Sequence, residues 1–297
     1  ENGNVPSFAA PGVGIEKNTD GTFTAKAGMA AQVLEATGSS VKAYTSLAEA
    51  IAAAEAGQTV RLLANATENV TIADNKNLTL DLNGHTINGG TGTAVATITN
   101  YGTVTITDKS TAKTGTIKRD DNGTVGETSY YVIRNFGTMT IEQANVVNNS
   151  GYRKANSSGS MVGSSLICNG DGDVGATLTI NDGTFKQMNF LVVKNGTLGT
   201  LNVTGGTFTS KHSAIQNWFE ATITGGEING QLWTDAYIAG ESVGHTTIGG
   251  SAKFTGEIVM DITGSSVKPT LEISGGTLDV TNWRITTAAA NAGAKPA

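Results

Sequence analysis

The sequence has a single cysteine, only 4 prolines and no strong excess of one charge among its 297 residues. Because Cys168 stands alone, an internal disulfide is excluded and the redox compartment is left undecided. No run approaches the roughly 18 apolar residues of a membrane span, so no membrane span is predicted. The formal net charge is −6 with acidic and basic residues interspersed, so nothing indicates a nucleic-acid partner.

Glycine is abundant, with 39 residues, and it accompanies an internal repeat. The segment at residues 177–185 (TLTINDGTF) returns at residues 200–208 as TLNVTGGTF. Looser copies share an apolar residue that we take as equivalent: Leu82, Ile106, Ile141, Ile180, Val203, Ile223, Ile248 and Ile273. These positions are separated by 24, 35, 39, 23, 20, 25 and 25 residues. Such a period, with apolar and polar positions alternating inside each copy, predicts stacked short strands.

A second motif places an asparagine a few residues before the next strand of several repeats. The members of this set are Asn100, Asn135, Asn169, Asn195 and Asn217. Asparagine tolerates the left-handed backbone conformation that a sharp corner needs. Stacked asparagine amides also form hydrogen bonds from one repeat to the next. The sequence therefore predicts a column of asparagines along one corner of the molecule.

Together the two motifs predict an all-β chain, a right-handed parallel β-helix (solenoid) of about eight coils. Residues 1–40 are interpreted as an N-terminal extension or cap strands, 41–285 as the β-helix domain, and 286–297 as a linker-like tail. Glu1 is interpreted as the start of a mature chain or of an expressed fragment, and we expect the natural protein to continue beyond the tail.

A capping helix is predicted near residues 46–57, immediately before the first repeat. Ser46 and Glu49 have the spacing of a capping box, in which both side chains satisfy free amide groups at the helix start. Residues 48–56 are strong helix formers, and Gly57 is placed to end the helix. Such a helix is expected to cover the open apolar end of the repeat array, since strand edges would otherwise be exposed.

The segments at residues 44–51 (YTSLAEAI), 60–63 (VRLL) and 78–87 (LTLDLNGHTI) resemble the opening of secreted surface proteins and putative adhesins of gut bacteria. The chain is similar to the pectate-lyase-like β-helix superfamily over roughly residues 41 to 285. This resemblance implies a secreted or cell-surface location. It leaves function open, because that fold hosts lyases, hydrolases, adhesins and passive stalks.

The alternative prediction is that the chain is an enzyme of this superfamily, either a polysaccharide lyase or a glycoside hydrolase. Such chemistry needs carboxylates in the same column of successive repeats. In our alignment Asp81 lies beside Thr105 and Thr140, and Glu142 beside hydroxyl and amide residues. No catalytic residue is therefore predicted, and no cofactor.

Metal binding is weakly indicated at one place only. Asp171 and Asp173 stand at alternate positions in a glycine-rich segment and have the potential to bind calcium weakly, although turn formation also explains Asp-Gly pairs. The three histidines have no metal-like spacing.

Cys168 precedes an asparagine of the column, as do Arg134 and Lys194. A thiol between two cations would have enhanced thiolate character, whereas inert packing of a small side chain is the simpler interpretation.

Ligand contacts are predicted at two insertions and along the asparagine corner. Insertions in repeat proteins often carry binding residues, although a solvated, variable loop is the plainer interpretation. Aromatic rings beside the asparagines form either a binding platform or a buttress for the corner. The candidate residues are Arg119, Asp120, Asp121, Tyr152 and Arg153 in the insertions, and Tyr101, Phe136, Trp218 and Trp233 near the corner.

The functional prediction is a non-catalytic, adhesin-like surface module that binds host or glycan ligands, or else acts as a stalk. Its expected partners are a glycan or a host surface protein. Because no second cap is visible after residue 285, the C-terminal end is expected either to be covered by a further domain or to support self-association.

Overall fold

The computed structural model describes residues 10–89, 95–119, 128–148, 153–158, 160–187, 190–238, 242–261 and 268–286. These residues form 29 strands and one helix. In chain order the elements are β1 (Gly14–Lys17), β2 (Phe23–Lys26), β3 (Ala31–Leu34), β4 (Ser40–Tyr44), α1 (Leu47–Ala53), β5 (Thr59–Leu62), β6 (Ala66–Thr67), β7 (Val70–Ile72), β8 (Asn77–Asp81), β9 (Thr86–Gly89), β10 (Ile98–Asn100), β11 (Thr103–Thr107), β12 (Thr116–Arg119), β13 (Tyr130–Asn135), β14 (Thr138–Ile141), β15 (Asn145–Asn148), β16 (Arg153–Ala155), β17 (Met161–Asn169), β18 (Ala176–Ile180), β19 (Thr184–Gln187), β20 (Val193–Asn195), β21 (Gly199–Val203), β22 (Thr207–Asn217), β23 (Glu220–Ile223), β24 (Glu227–Ile238), β25 (Ser242–Val243), β26 (His245–Ile248), β27 (Lys253–Asp261), β28 (Thr270–Ile273) and β29 (Thr277–Thr286).

The strands lie in three sheets. β1 and β2 form a two-stranded antiparallel sheet. An 11-stranded sheet has the order β28-β26-β23-β21-β18-β14-β11-β8-β5-β3-β4, parallel throughout except that β3 is antiparallel to β4 and β5. A 16-stranded sheet has the main order β6-β9-β12-β15-β19-β22-β20-β17-β13-β10-β7, with β16, β24, β25, β27 and β29 attached beside this path.

The predicted right-handed parallel β-helix of about eight coils is wrong for this chain. The strands lie in two extended sheets of 11 and 16 strands, without a clear series of coils. Two rows of short strands merge within the larger sheet because β22 pairs with both β19 and β20. Antiparallel pairs at β3, β16 and β25 interrupt the regularity further. The sequence period predicts which strands are neighbours, but it does not determine how separate rows of strands join.

The pairing of neighbouring repeats is confirmed. Ile180 lies opposite Val203, which in turn lies opposite Ile223, in parallel register. One position of the alignment is wrong, because Leu80 and not Leu82 lies opposite Ile106. Leu82 immediately precedes the turn at Asn83, whose φ is +48°, so it follows the strand and is buried beside it. The apolar positions from Leu80 to Ile248 therefore form one continuous buried row, which ends at the exposed Ile273.

The hydrophobic core lies between the two large sheets. A single cluster of contacting buried side chains includes Ile106 from the 11-stranded sheet and Ile133 and Phe208 from the 16-stranded sheet. Phe185 and Phe208 stack in this core with ring centroids 4.8 Å apart. Burial of these aliphatic and aromatic side chains is the main favourable contribution to the stability of the fold.

The predicted helix is present as α1, with Ser46 as its N-cap. The Ser46 hydroxyl accepts a hydrogen bond from the Glu49 amide at 3.4 Å, as the capping box predicts. Glu68, from a distant segment, completes the cap by accepting from the amides of Leu47 and Ala48 at 2.8 and 3.0 Å. The Glu68 carboxylate, lying at the helix start, also interacts favourably with the helix dipole. The helix ends at Ala53, earlier than the predicted end at Gly57.

The C-terminal ends of the large sheets are formed by β28 and β29. Within the part of the chain that the structure describes, β28 pairs only with β26, and β29 pairs only with β27. Ile273 on β28 is 41% exposed. Self-association through this end stays a prediction. The tail at residues 287–297 lies outside the described residues.

Candidate functional site

The asparagine column exists as a continuous hydrogen-bonded ladder. The side-chain amide of Asn100 donates to Asn135 at 2.8 Å, and Asn135 donates to Asn169 at 2.8 Å. Asn169 then donates to Asn195 at 2.7 Å, and Asn195 donates to Asn217 at 2.8 Å. All five side chains are fully buried. The prediction of amide bonds between repeats is confirmed.

The left-handed backbone conformation predicted for these asparagines is wrong. Among the described residues, the non-glycine positions with positive φ are Asn83, Lys113 and Leu198, and no member of the ladder is among them. The ladder asparagines lie in or at the end of parallel strands, in register with one another. Asparagine is used here because one amide supplies both a donor and an acceptor, so each of the three inner residues bonds to two neighbours in the ladder.

The residue after each ladder asparagine forms a second row, which we call the corner row: Tyr101, Phe136, Gly170, Gly196 and Trp218. Each of its amides donates to a carbonyl in the preceding repeat at 2.7 to 2.9 Å. The rings of Tyr101 and Phe136 stack with centroids 5.3 Å apart and planes 16° apart. The two glycines then leave a gap without side chains before Trp218. Since neighbouring strands are roughly 4.8 Å apart, Phe136 and Trp218 are separated by about 14 Å.

Three charged side chains lie beside this gap, and we call them the charged triad: Arg134, Asp171 and Lys194. The guanidinium of Arg134 is 2.7 Å from the Asp171 carboxylate, and the Lys194 ammonium is 3.8 Å from it. Arg134 also lies over the Phe136 ring at 5.2 Å, and Lys194 lies over the Trp218 ring at 4.4 Å. The corner row and the charged triad therefore form one surface, in which the charged groups lie between the stacked pair of rings and Trp218.

Cys168 lies between the two cations, opposite Arg134 and Lys194 in the register, as the sequence predicts. Its thiol is nevertheless buried, with 1% of the residue exposed. Burial raises the pKa of Cys168 to about 11, and the nearby Lys194 and Arg134 offset this only in part. The hypothesis of enhanced thiolate character is therefore wrong, because desolvation of the thiolate outweighs its attraction to the cations.

A pair of acids extends the same surface beyond Trp218. Asp235 and Asp261 are direct partners on the parallel strands β24 and β27. Burial, followed by the charge of Asp261, raises the pKa of Asp235 to about 6. The prediction that no acids share a column is thus wrong here, because our alignment did not extend to these two strands. Our alignment is also displaced by two residues at the first repeat, because Asp81 lies opposite Thr107 and not Thr105.

The raised pKa of Asp235 predicts that stability falls as pH rises from about 4 to about 6. The folded protein holds the proton more tightly than the unfolded chain, whose Asp pKa is about 3.9, so the charged form is penalised above this window. We expect Asp235→Asn to raise the free energy of unfolding at pH 8 by about 2 kcal/mol and to change it little at pH 4. Urea unfolding at pH 4 and pH 8 measures the change in the free energy of unfolding that Asp235→Asn causes. An equal effect at both values, or an equal effect of the exposed control Asp74→Asn, contradicts the prediction.

The structure separates the predicted ligand-binding residues. Tyr101, Phe136 and Trp218 share the corner row, whereas Trp233 lies in a neighbouring row opposite Gln216. Arg119 ends β12 and is buried, with its guanidinium donating to the Val95 carbonyl at 2.6 Å and lying over the Tyr130 ring. Arg153 is exposed on β16. Asp120, Asp121 and Tyr152 lie outside the described residues.

The proposed calcium ligands are placed differently from one another. Asp171 binds the two cations of the charged triad, while Asp173 is exposed in the following turn. No cluster of three or more His, Cys, Asp or Glu side chains suited to a metal occurs within the described ranges.

None of the helical segments that the structure describes is long and apolar enough to cross a membrane.

A part-buried polar network around the buried Ser213 was not predicted from the sequence. The Ser213 hydroxyl lies 2.8 Å from His212 Nδ1 and donates to the Gln231 side chain at 2.9 Å. Gln231 in turn donates to the Glu257 carboxylate at 2.6 Å. Because Ser213 is fully buried, a substrate has no access to its hydroxyl. The network satisfies buried polar groups, which would otherwise cost stability.

Comparison with known proteins identifies no relative of this chain. No protein-family model matches the chain, and no curated protein or solved structure matches it significantly. The resemblance to pectate-lyase-like surface proteins therefore stays a prediction, and function has to be argued from the corner row and the charged triad.

Proposed function

We propose that this chain is a non-catalytic, secreted or cell-surface module that binds a glycan along the corner row. The single observation that carries the proposal is the arrangement of rings and charges on one surface. Tyr101 and Phe136 stack at one end, Trp218 lies at the other, and the charged triad fills the interval.

This arrangement matches the chemistry of a sugar. A pyranose ring has apolar C–H faces, which pack on aromatic rings, and a rim of hydroxyl groups, which need charged or polar partners. Tyr101 is 49% exposed, so its ring is accessible to such a face. Aromatic side chains also provide large contact area with few rotatable bonds, which lowers the entropic cost of binding. The span of about 14 Å between Phe136 and Trp218 favours a short oligosaccharide over a single sugar.

The rigidity of the surface supports the same proposal. Each corner-row residue directly follows a buried member of the asparagine ladder, whose side chains are fixed by hydrogen bonds on both sides. The rings therefore need little reorganisation on binding, and preorganised sites lose less entropy when a ligand is captured. A buttress for the corner would explain the stacking of Tyr101 on Phe136, but it does not explain the exposed Tyr101 ring.

The experiment is a glycan array followed by calorimetry on the oligosaccharides that bind. We expect Phe136→Ala and Trp218→Ala each to weaken binding by roughly thirtyfold, because aromatic anchors contribute about 2 kcal/mol at binding surfaces. Phe23→Ala is the matched control, since Phe23 is an exposed ring on β2, outside the corner row. Thermal unfolding checks that the variants are folded. Absence of glycan binding by the wild-type chain, or equal losses in all three variants, would refute the proposal.

A second candidate function, glycoside hydrolysis, is favoured by the pair of Asp235 and Asp261. Paired strands place these acids about 4.8 Å apart at their backbones, close to the separation of roughly 5 Å between carboxyl groups in retaining glycosidases. One acid must stay protonated to act as the general acid, and the pKa of Asp235, raised to about 6, fits that role. Trp218 precedes Asp235 in the same row, so a bound glycan would reach the pair.

The hydrolase candidate is tested by release of reducing ends from the glycans that bind. If the pair is catalytic, Asp235→Asn should lower the rate at least about 100-fold, because general acid catalysis contributes at least this factor. Asp74→Asn, an exposed acid in a turn, is the control. A wild-type rate no higher than that of Asp235→Asn would eliminate catalysis by this pair and leave the binding proposal intact.

A further inference from the structure

The Asp171 carboxylate occupies the point at which two cations from different strands converge. Arg134 comes from β13 and Lys194 from β20, and the strand between them, β17, carries the buried Cys168. The side chain of Lys194 is 14% exposed and that of Arg134 is 34% exposed, while that of Asp171 is 41% exposed. The acid is therefore the most accessible member of the charged triad.

The cations are held more firmly than the acid. Arg134 lies over the rings of both Tyr131 and Phe136, at 6.0 and 5.2 Å, and Lys194 lies over Trp218. Both cations belong to strands inside the 16-stranded sheet. Asp171 instead begins a turn that follows Gly170, at φ +71°, and includes Gly172, at φ +60°. The two cations therefore lie on paired strands, whereas the anion between them lies in a turn.

We propose that Arg134 and Lys194 form the subsite for one anionic group of an acidic glycan, a carboxylate or a sulfate, and that Asp171 occupies this subsite when the ligand is absent. The inference rests on the proposed glycan-binding function and names the ligand class. A carboxylate already fits between the two cations, so an external anion of similar size has the same partners. The half-buried rings of Phe136 and Trp218 flank the subsite, with Arg134 lying over the first ring and Lys194 over the second.

An internal acid of this kind competes with the ligand. Before an external anion binds both cations, the Asp171 carboxylate has to move away, and part of the binding free energy is lost in that step. Removing its charge should therefore tighten the binding of acidic glycans. Removing either cation should weaken it. Neutral glycans, which contact only the rings and hydroxyl partners, should respond weakly to both changes.

The experiment is calorimetry at low and high salt with three probes: a sulfated oligosaccharide, a carboxylate-bearing oligosaccharide and a neutral oligosaccharide of the same length. We expect Asp171→Asn to tighten the binding of one or both acidic probes by about tenfold, the size of one charge-assisted contact. We expect Lys194→Gln to weaken the same probes about tenfold and to reduce their salt dependence. Asp173→Asn is the matched control, because it removes the same charge from the same turn.

The outcomes separate this inference from the proposed function. If the neutral probe binds as tightly as the acidic probes, and Asp171→Asn leaves all affinities unchanged, the anion subsite is refuted while glycan binding stands. If Asp171→Asn and Asp173→Asn tighten binding equally, the effect is one of net charge and the subsite is also refuted. If no probe binds to the wild type or to Asp171→Asn, the proposed function itself fails. The two acidic probes show whether the anion is a sulfate or a carboxylate.

Discussion

Replacing Asn169 by alanine is expected to lower the free energy of unfolding by about 3 kcal/mol. Asn169 is fully buried at the centre of the asparagine ladder. It accepts from Asn135 at 2.8 Å and donates to Asn195 at 2.7 Å and to the Thr200 carbonyl at 3.0 Å. Its loss leaves the acceptors of Asn195 and Thr200 without this donor in a site that water does not reach. Buried groups that lose their partners cost about 1–3 kcal/mol each, and the vacated volume adds a further penalty.

Urea unfolding monitored by circular dichroism measures this effect as a shift of the midpoint. Asn181→Ala is the matched control, because Asn181 lies at the end of β18 and its side chain bonds near the surface, to Glu142 at 3.0 Å. We expect the control to cost less than about 1 kcal/mol, as most surface substitutions do. Equal midpoints for the two variants would show that the ladder contributes no more than ordinary surface amides.

The ladder also links stability to the proposed site. Phe136 and Trp218 directly follow Asn135 and Asn217, and the amide of Trp218 donates to the Asn195 carbonyl at 2.9 Å. The spacing of the rings is therefore set by the same strands that the buried amides hold together. A binding surface built on such fixed elements is more accurately positioned than one built on loops.

Much of the pairing could be predicted from the sequence, because it depends on local and periodic signals. The equivalence of Ile180 and Val203 is confirmed by direct pairing, since only one register buries every apolar residue of both strands. The amide bonds of the ladder follow from asparagines at the same phase of each repeat. The start of α1 at Ser46 follows from its capping residues.

The errors of the sequence analysis arose where distant segments decide the outcome. The sheets join through β22, whose 11 residues pair with two separate rows, and no local periodicity encodes such a junction. Glu68 completes the helix cap from outside the segment in which the capping box was sought. The pKa of Cys168 depends on how deeply neighbouring strands bury it, which the adjacent charges in the sequence did not indicate.

The candidate site was predictable only in part. Tyr101, Phe136 and Trp218 were found because each follows a ladder asparagine, and this position places them in one row. Asp171 was assigned to a turn or to calcium, because the sequence does not show that its turn bends back over Arg134 and Lys194. Asp235 and Asp261 were missed for a related reason, since their strands fall at the irregular end of the repeat.

Replacing Gly225 by alanine is expected to cost about 3 kcal/mol or more, through a clash between neighbouring repeats. A Cβ atom at this position would lie 2.0 Å from the carbonyl oxygen of Thr204 and 2.7 Å from its carbonyl carbon. Both atoms belong to the backbone of the preceding repeat, so a side-chain rotation does not relieve the overlap. Relief requires displacement of β21 from β23, which are held in register by Val203 and Ile223. Overpacking that forces such shifts costs 1–3 kcal/mol or occasionally more.

Gly249→Ala is the matched control for this prediction. Gly249 is the first residue after β26, and its counterpart in the preceding repeat is Thr224, the residue before Gly225. The Gly249 amide donates to the Ile223 carbonyl, and the Thr224 amide donates to the Val203 carbonyl. A Cβ atom there would meet only the Ser274 hydroxyl, at 3.0 Å, which is the end of a side chain that can rotate away. Thermal or urea unfolding of both variants should show a large loss for Gly225→Ala and a loss below about 1 kcal/mol for Gly249→Ala. Similar stabilities would mean that the repeats do not approach each other as closely as these contacts require, and the spacing of the corner row would then also be in doubt.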